Sequence, residues 1–200
     1  MNVNRDRARF DRWAGTYDRS PLQRFLFGPT HEATLAAAGS ATSPHEVLDL
    51  GCGTGRLLER AAERWPTARL LGVDPSTEMI AQARRKHAGD ERFELEVGDA
   101  AALPLESASV DLAVSTVSFH HWADQAAGVR EVARVLRPGG VFVLSDLFPP
   151  LPLRVVLRRR FHGRRARQRL FKQAGLTIER QRRPLRLGGQ VLVSIGRKAA

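Results

Sequence analysis

Three aspartates and a cluster of glycines stand where apolar runs of this 200-residue chain end, a placement that suits a nucleoside-sized ligand. The run Val47-Leu48-Asp49-Leu50 carries one carboxylate and breaks at once into Gly51-Cys52-Gly53-Thr54-Gly55. Glycines let a backbone approach a ligand closely, and a helix that starts beyond such a turn offers free N–H groups to it. The amphipathic segment Arg56 to Trp65 supplies that helix. The spacing Gly51-x-Gly53-x-Gly55 is not the dinucleotide fingerprint, whose third glycine falls one residue later, where Arg56 stands here. A second apolar run, Ala68 to Val73, ends at Asp74. In a βαβ unit this puts a carboxylate at the neighbouring strand tip, where it can accept both hydroxyls of a ribose. A third run, Arg92 to Val97, ends at Gly98-Asp99, and Asp99 would reach the exocyclic amine of an adenine.

Proton-handling groups form a second set. A fourth run, Val110 to Ser115, leads through Thr116 into Val117-Ser118-Phe119-His120-His121-Trp122. Histidine is the side chain whose ordinary pKa lies near neutrality. His120 or His121 could take a proton or orient a substrate, and both could equally hold the loop by local hydrogen bonds. Of the two, His120 is preferred because it stands nearer the strand tip. Tyr17, in Ala14-Gly15-Thr16-Tyr17-Asp18, and Asp146, at the end of the run Val141 to Ser145, complete the candidates. Asp146 reads as a strand-tip cap.

Positioning these groups requires a layered frame. Residues 44–146 alternate strand and helix, which implies a parallel sheet with helices on both faces. A helical stretch, Asp124 to Leu136, is expected to stop at Arg137-Pro138-Gly139-Gly140, before the strand Val141 to Ser145. Residues 1–43 read as one or two helices. Phe10, Trp13, Ala14 and Tyr17 share one helical face, Ser20-Pro21 breaks the pattern, and Leu22, Phe25 and Leu26 begin another. After the proline-rich break Phe148 to Pro152, a basic helix is expected over Arg158 to Ala174, then strands over Leu176 to Arg180 and Val191 to Ile195. Residues 1–43 are thus expected to form a helical cap and residues 44–200 the core of a single domain.

Composition narrows the class. Apolar content of 42% is ordinary for a globular protein. No apolar run reaches the roughly 18 residues of a membrane span, and residues 1–12 do not read as a signal peptide. The single cysteine, Cys52, can form no internal disulfide, and with no export signal this favours the cytoplasm. Charge is uneven: residues 1–150 carry a net −3 and residues 151–200 a net +14, with seven arginines between Arg158 and Arg169. Such a block could be a solvated face or could meet an anionic acceptor, a carrier protein, a membrane surface, or RNA or DNA. Only Phe161 and Phe171 interleave it, which weakens a single-strand binding role.

The ordered set VLDLGCGTG (47–55), GVDPSTEMI (72–80), GDAAALP (98–104), SFHHW (118–122) and RVLRPGG (134–140) covers about half the chain and resembles the class I S-adenosylmethionine-dependent methyltransferases, of the small-molecule type related to ubiquinone/menaquinone C-methyltransferases. The resemblance implies an α/β fold: a Rossmann-like, seven-stranded, mostly parallel sheet with helices on both faces, its last strand antiparallel and inserted between strands five and six. It implies S-adenosyl-L-methionine as cofactor, S-adenosyl-L-homocysteine as product, and cofactor contacts from Asp49, Gly51, Cys52, Gly53, Gly55, Asp74, Pro75, Met79, Asp99, Ala100, Ser115 and Thr116. It implies a small organic acceptor methylated at carbon or oxygen more than nitrogen, with His120, Tyr17 and His121 as catalytic candidates. The alternatives are an RNA-modifying enzyme that uses the basic region, and a cofactor-binding protein without methyl transfer, such as a cyclase or a regulatory subunit.

Several subclasses fit poorly. The tetrad of amino-directed DNA methyltransferases is replaced by Ser115-Thr116-Val117-Ser118-Phe119, and there is no Pro-Cys pair as in cytosine-C5 enzymes. Asp111 and Asp124 are poorly spaced to hold a metal, so none is expected.

Overall fold

The computed structural model describes residues 3–149, 161–184 and 190–200. The expected stretch 158–160 and the glycine pair Gly188-Gly189 lie outside these residues. Five strands run through the central region, joined by helices except between β3 and β4, where residues 98–109 form a loop in place of the expected helix: β1 (Glu46–Leu50), α3 (Arg56–Arg64), β2 (Arg69–Asp74), α4 (Thr77–Lys86), β3 (Phe93–Val97), β4 (Val110–Thr116), α5 (Gln125–Val135) and β5 (Leu136–Leu147). Before them come α1 (Val3–Tyr17), a π-helical turn (Gln23–Phe27) and α2 (Gly28–Gly39). After them come α6 (Arg164–Gln173), β6 (Leu176–Arg182) and β7 (Val191–Lys198). The sheet order is β3-β2-β1-β4-β5-β7-β6. All the pairings among β1 to β5 are parallel, and β7 runs antiparallel between β5 and β6. This is the expected topology, including the inserted last strand.

Two apolar layers sandwich the sheet. On one face Leu57, Leu58 and Ala61 of α3, Ile80 and Ala83 of α4, and Leu35 and Ala38 of α2 pack on Val47, Leu70, Leu112 and Val143. On the other, Val129 and Val132 of α5 and Phe171 of α6 pack on Leu48, Leu50, Ala113 and Phe142. Strands covered on both faces are apolar on successive residues, which is why β1, β2 and β4 read as apolar runs and not as strict alternations. The helix α2 belongs to this core, and its Thr34 hydroxyl donates to Ser145 Oγ of β5 at 2.7 Å. Leu26 of the turn after α1 also packs against this layer, and α1 packs on α4.

Two expected boundaries move. The fifth strand starts at Leu136, not Val141, because Arg137-Pro138-Gly139-Gly140 does not end the element but bulges within it. Val110 pairs with Leu136 and Leu112 with Val141, so the extra residues loop out on the β5 side. Gly139 takes φ +77 there, and Arg137 Nη1 donates to Asp111 Oδ1 at 2.7 Å to pin the bulge. The basic helix begins at Arg164, after Gly163, so Phe161 and His162 precede it.

The arginine block is also not one solvated face. Arg164, Arg165 and Arg169 are exposed, but Arg167 is wholly buried. Its guanidinium donates to the carbonyls of Leu192 at 2.6 Å, Leu144 at 3.3 Å, His162 at 3.1 Å and Asp146 at 3.4 Å. Burial lowers its pKa to about 10, with Asp146 opposing the shift, so it stays charged at neutral pH. Arg167 ties α6 to the ends of β5 and β7 through these main-chain carbonyls. Among the described residues, no helix is long and apolar enough to cross a membrane.

Candidate active site

A cleft opens where β1, β2 and β4 reach their C-terminal ends, the edge at which open α/β sheets take ligands. The glycine turn forms its floor. Gly51 N–H donates to the Val73 carbonyl at 2.7 Å, which ties the turn to β2. Gly53 has φ +54, and a Cβ placed there would point into the space between Tyr17 Cε1 at 3.7 Å and Met79 Sδ at 4.0 Å. The turn is therefore a cradle that any side chain would begin to fill. We expect Gly53→Val to lower affinity for S-adenosylhomocysteine at least tenfold and to cost about 1–2 kcal/mol in stability, since a β-branched residue resists positive φ. Calorimetric titration of a variant whose circular dichroism is native checks this; unchanged affinity would remove Gly53 from the site.

Three carboxylates stand at the strand ends. Asp74 accepts from Gly53 N–H at 2.9 Å and from Ser76 N–H at 2.8 Å, so it fixes both the turn and the start of α4. Burial raises its pKa to about 6, against the pull of those two hydrogen bonds. Asp99 lines the cleft and accepts from Ala101 N–H at 2.8 Å. Asp49 is 1% exposed, and its Oδ1 has no partner within the protein. Burial, reinforced by the charge of Asp74, pushes its carboxyl to about 8. Ser115 Oγ, on the adjacent strand β4, is likewise buried without a partner. Buried polar atoms are nearly always satisfied, so an orphaned carboxylate oxygen beside a glycine cradle fits a ligand that brings a cationic group.

Helix α1 closes the cleft from above. Its Asp11 Oδ1 accepts from Ser76 Oγ at 2.5 Å, Arg7 Nη2 donates to Thr77 Oγ1 at 2.9 Å, and Asp18 Oδ1 accepts from Thr54 Oγ1 at 2.6 Å. Ser76 also caps α4 by accepting from Met79 N–H at 3.2 Å, so the Asp11 carboxylate sits at a helix N-terminus, where negative charge is favoured. Phe10, Trp13 and Tyr17 form an aromatic ladder, with Phe10 edge-on to His121 at 5.1 Å and Tyr17 beside Phe27 at 5.5 Å. Burial holds the Tyr17 phenol well above its ordinary pKa, so it is a hydrogen-bond donor and not a base at neutral pH.

The two histidines occupy different depths. Val117, with φ +50, turns the chain sharply beyond β4 into a 3-10 turn, Phe119–His121. Positive φ is strained for a β-branched residue, and it is held here by Val117 N–H donating to the Ser145 carbonyl at 2.8 Å. His121 lines the cleft. His120 lies behind it against β5: its Nδ1 is 2.7 Å from Asp146 Oδ1, and its main-chain N–H donates to Asp146 Oδ2 at 2.9 Å. The two rings are 4.0 Å apart, and the outer face of His120 meets Phe161 at 4.9 Å.

Of the residues singled out from sequence, Tyr17, Gly51, Gly53, Asp74, Pro75, Met79, Asp99, Ala100, Thr116 and His121 line this cleft together. Asp49, Cys52, Gly55, Ser115 and His120 are not on its wall. Burial pushes the Cys52 thiol well above its ordinary pKa, so it is inert as a nucleophile. Gly55 faces away, its absent Cβ directed at His87 Nε2 at 2.9 Å. Asp6, Arg7, Phe10, Ser76, Ser118 and Trp122 also line the cleft, though none was among the expected site residues. For Asp6 a signal existed: it falls four residues before Phe10 on the face that carries Trp13 and Tyr17. Asp111 and Asp124 are engaged elsewhere, Asp111 with His45 N–H, Glu46 N–H and Arg137, and Asp124 as the N-cap of α5.

Comparison with known proteins agrees with this geometry. Residues 47–140 match a methyltransferase domain family. The chain is 39% identical over 117 residues to a demethylmenaquinone methyltransferase of Deinococcus radiodurans, covering 58% of this chain and 48% of that protein. It is 40% identical over 142 residues to a malonyl-[acyl-carrier protein] O-methyltransferase of Pectobacterium atrosepticum, covering 69% of this chain and 51% of that protein. The chain thus spans about half the length of these curated relatives. Its fold superposes on a SAM-dependent methyltransferase from Aquifex aeolicus with a TM-score of 0.75 at 19% identity, covering 94% of this chain and 97% of that one. The strand order, the glycine cradle with its acidic strand tips, and these matches agree with a methyltransferase domain over residues 47–140.

Proposed function

We propose that this protein transfers a methyl group from S-adenosylmethionine to a small organic acceptor, at carbon or oxygen, and leaves S-adenosylhomocysteine. The observation that carries the reading is the meeting, in one cleft, of the Gly51–Gly53 cradle, Asp74 and Asp99 with His121. When bound, the cofactor supplies an activated methyl group on a sulfonium. Asp49 and the carbonyls of Ser115 and Thr116 are suited to its ammonium group, Asp74 to its ribose, and Asp99, Ala100, Pro75 and Met79 to its adenine. Two of these contacts join a carboxylate to hydroxyl or ammonium donors, which makes them charge-assisted and strong.

The protein's part in the transfer is orientation and exclusion of water. Holding acceptor and methyl in line within a closed cleft contributes several kcal/mol, roughly 7–11 kcal/mol in the best-ordered cases. Phe10 and Tyr17 of α1, with Trp122 below, give the cleft apolar walls. In this reading α1 is a lid, latched by Asp11 to Ser76 and by Asp18 to Thr54. An acceptor that loses a proton on methylation needs a group to receive it. Burial and the neighbouring His120 lower the pKa of His121 to about 4, so it is neutral at pH 7 and able to accept. The matched relatives include a demethylmenaquinone methyltransferase and a malonyl-[acyl-carrier protein] O-methyltransferase, so their acceptors differ. A lone buried cysteine and no membrane-length helix among the described residues support a cytoplasmic site of action.

The test supplies methyl-labelled S-adenosylmethionine and the protein to a deproteinised host extract that is then fractionated. Label in the organic small-molecule fraction is expected. Label confined to RNA, or none in any fraction while the cofactor binds, would overturn the acceptor assignment.

A further inference from the structure

Asp6 was not among the site residues expected from the sequence, yet its Oδ2 lies 3.3 Å from His121 Nδ1. Both side chains are 18% exposed, so the pair is shielded at the edge of the cleft that both residues line. A carboxylate oxygen only accepts, so the imidazole nitrogen facing it carries the hydrogen. A neutral imidazole has one N–H, and the lone pair is then left on Nε2. His120 is held the same way by Asp146, but that carboxylate is fixed in β5, whereas Asp6 rides on α1.

We propose that Asp6 is the positioning residue for His121: helix α1, when seated on the cleft, delivers the carboxylate that sets the His121 tautomer with Nε2 free to accept the acceptor's proton. The inference rests on the methyl-transfer reading above. It adds that the base is assembled by the same movement that excludes water, so an open cleft holds no competent base. During transfer the acceptor's C–H or O–H bond gives its electrons to the new bond to methyl. The proton passes to Nε2, and the sulfur keeps the electron pair of the broken S–CH3 bond. The resulting imidazolium is stabilised by the Asp6 carboxylate, one turn of helix from Phe10, which packs edge-on against the same ring. The other charged or titratable groups near His121 are Arg9 on α1 and His120 on its own turn, with Asp146 behind. Arg9 and His120 both disfavour the imidazolium, and Asp6 is the group that opposes them.

The test is nitrogen-15 NMR of imidazole-labelled protein at pH 7, with the His121 signals assigned by loss in His121→Gln. The wild-type protein should show His121 as the Nδ1–H tautomer. Asp6→Asn should shift His121 by at least tenfold in tautomer ratio toward Nε2–H, because an amide can donate to Nδ1, and Asp6→Glu should restore the wild-type pattern. A wild-type His121 protonated on Nε2, or an unchanged ratio in Asp6→Asn, overturns the proposal. Should Asp6→Asn fail to fold, the wild-type and Asp6→Glu spectra still decide. Calorimetric binding of S-adenosylhomocysteine to the wild-type protein is measured separately. Its absence beside the expected tautomer would defeat the methyl-transfer reading and leave the positioning role of Asp6 standing.

Discussion

Asp74→Ala is expected to weaken binding of S-adenosylhomocysteine by at least tenfold, and more than any other single change at the cleft. Two losses combine. The carboxylate already accepts from Gly53 N–H and Ser76 N–H, and with four acceptor sites it keeps capacity for the two ribose hydroxyls. Alanine removes the hydrogen bonds to ligand, which as charge-assisted bonds are worth about 1.5–3 kcal/mol each. It also leaves the turn and the N-cap residue of α4, Ser76, without their acceptor, and an unsatisfied buried donor costs about 1–3 kcal/mol. A tenfold loss requires only about 1.4 kcal/mol. The sign of the pH dependence follows from the raised pKa. Asp74 titrates at about 6, so wild-type affinity should fall as pH drops through 6 and the acceptor becomes a neutral acid. Asp74→Asn should bind weakly with this acid limb missing. Isothermal titration between pH 5 and 8 checks both, and an affinity for Asp74→Ala within twofold of wild type would end the ribose assignment.

Asp49→Asn is expected to raise stability and lower affinity together. A carboxyl whose pKa is about 8 in the folded protein and about 4 in the unfolded chain binds its proton more tightly when folded. Stability is therefore lost as pH rises through that window, because the unfolded state ionises first. Replacing the buried acid by a neutral amide removes this loss. We expect a gain of roughly 2 kcal/mol or more at pH 8, read as a higher Tm, that disappears near pH 4. Binding shows the opposite side of the same chemistry. An ammonium brought to Asp49 Oδ1 favours the ionised form, so the wild-type protein should release close to one proton per ligand at pH 7. Calorimetry in buffers of different ionisation enthalpy reads that release directly. It should vanish in Asp49→Asn, with affinity at least tenfold lower. A wild-type enthalpy that does not change with buffer would mean that no cationic group meets Asp49.

Much of the frame could be read from the chain because it depends on local patterns. The runs that became β1, β2 and β4 place apolar residues next to one another because both sheet faces are covered, and each ends in a residue that breaks the run. The placement of Asp74 and Asp99 at strand tips followed from that punctuation and from the parallel connections it implies. The inserted antiparallel β7 came with the family resemblance and not from the residues alone. Boundaries were less legible where a long-range pair overrides a local signal. Arg137-Pro138-Gly139-Gly140 carries every mark of a turn, yet the Arg137–Asp111 pair and the pairing of Leu136 with Val110 keep it in the sheet as a bulge.

What the sequence determined by itself is the cradle: a glycine turn and acidic strand tips, set by backbone chemistry within short stretches. The tertiary structure alone decided which side chains of that neighbourhood reach the cleft. It put His121 on the cleft and His120 behind it, because the strained Val117 turns the chain so that Asp146 captures the first ring. It withdrew Arg167 from a run of arginines to satisfy carbonyls at the ends of β5 and β7. It brought Asp6 across 115 positions of chain to the Nδ1 of His121. Such contacts depend on how α1 and α6 pack against the sheet, and helix periodicity names the face that packs but not the residue it meets.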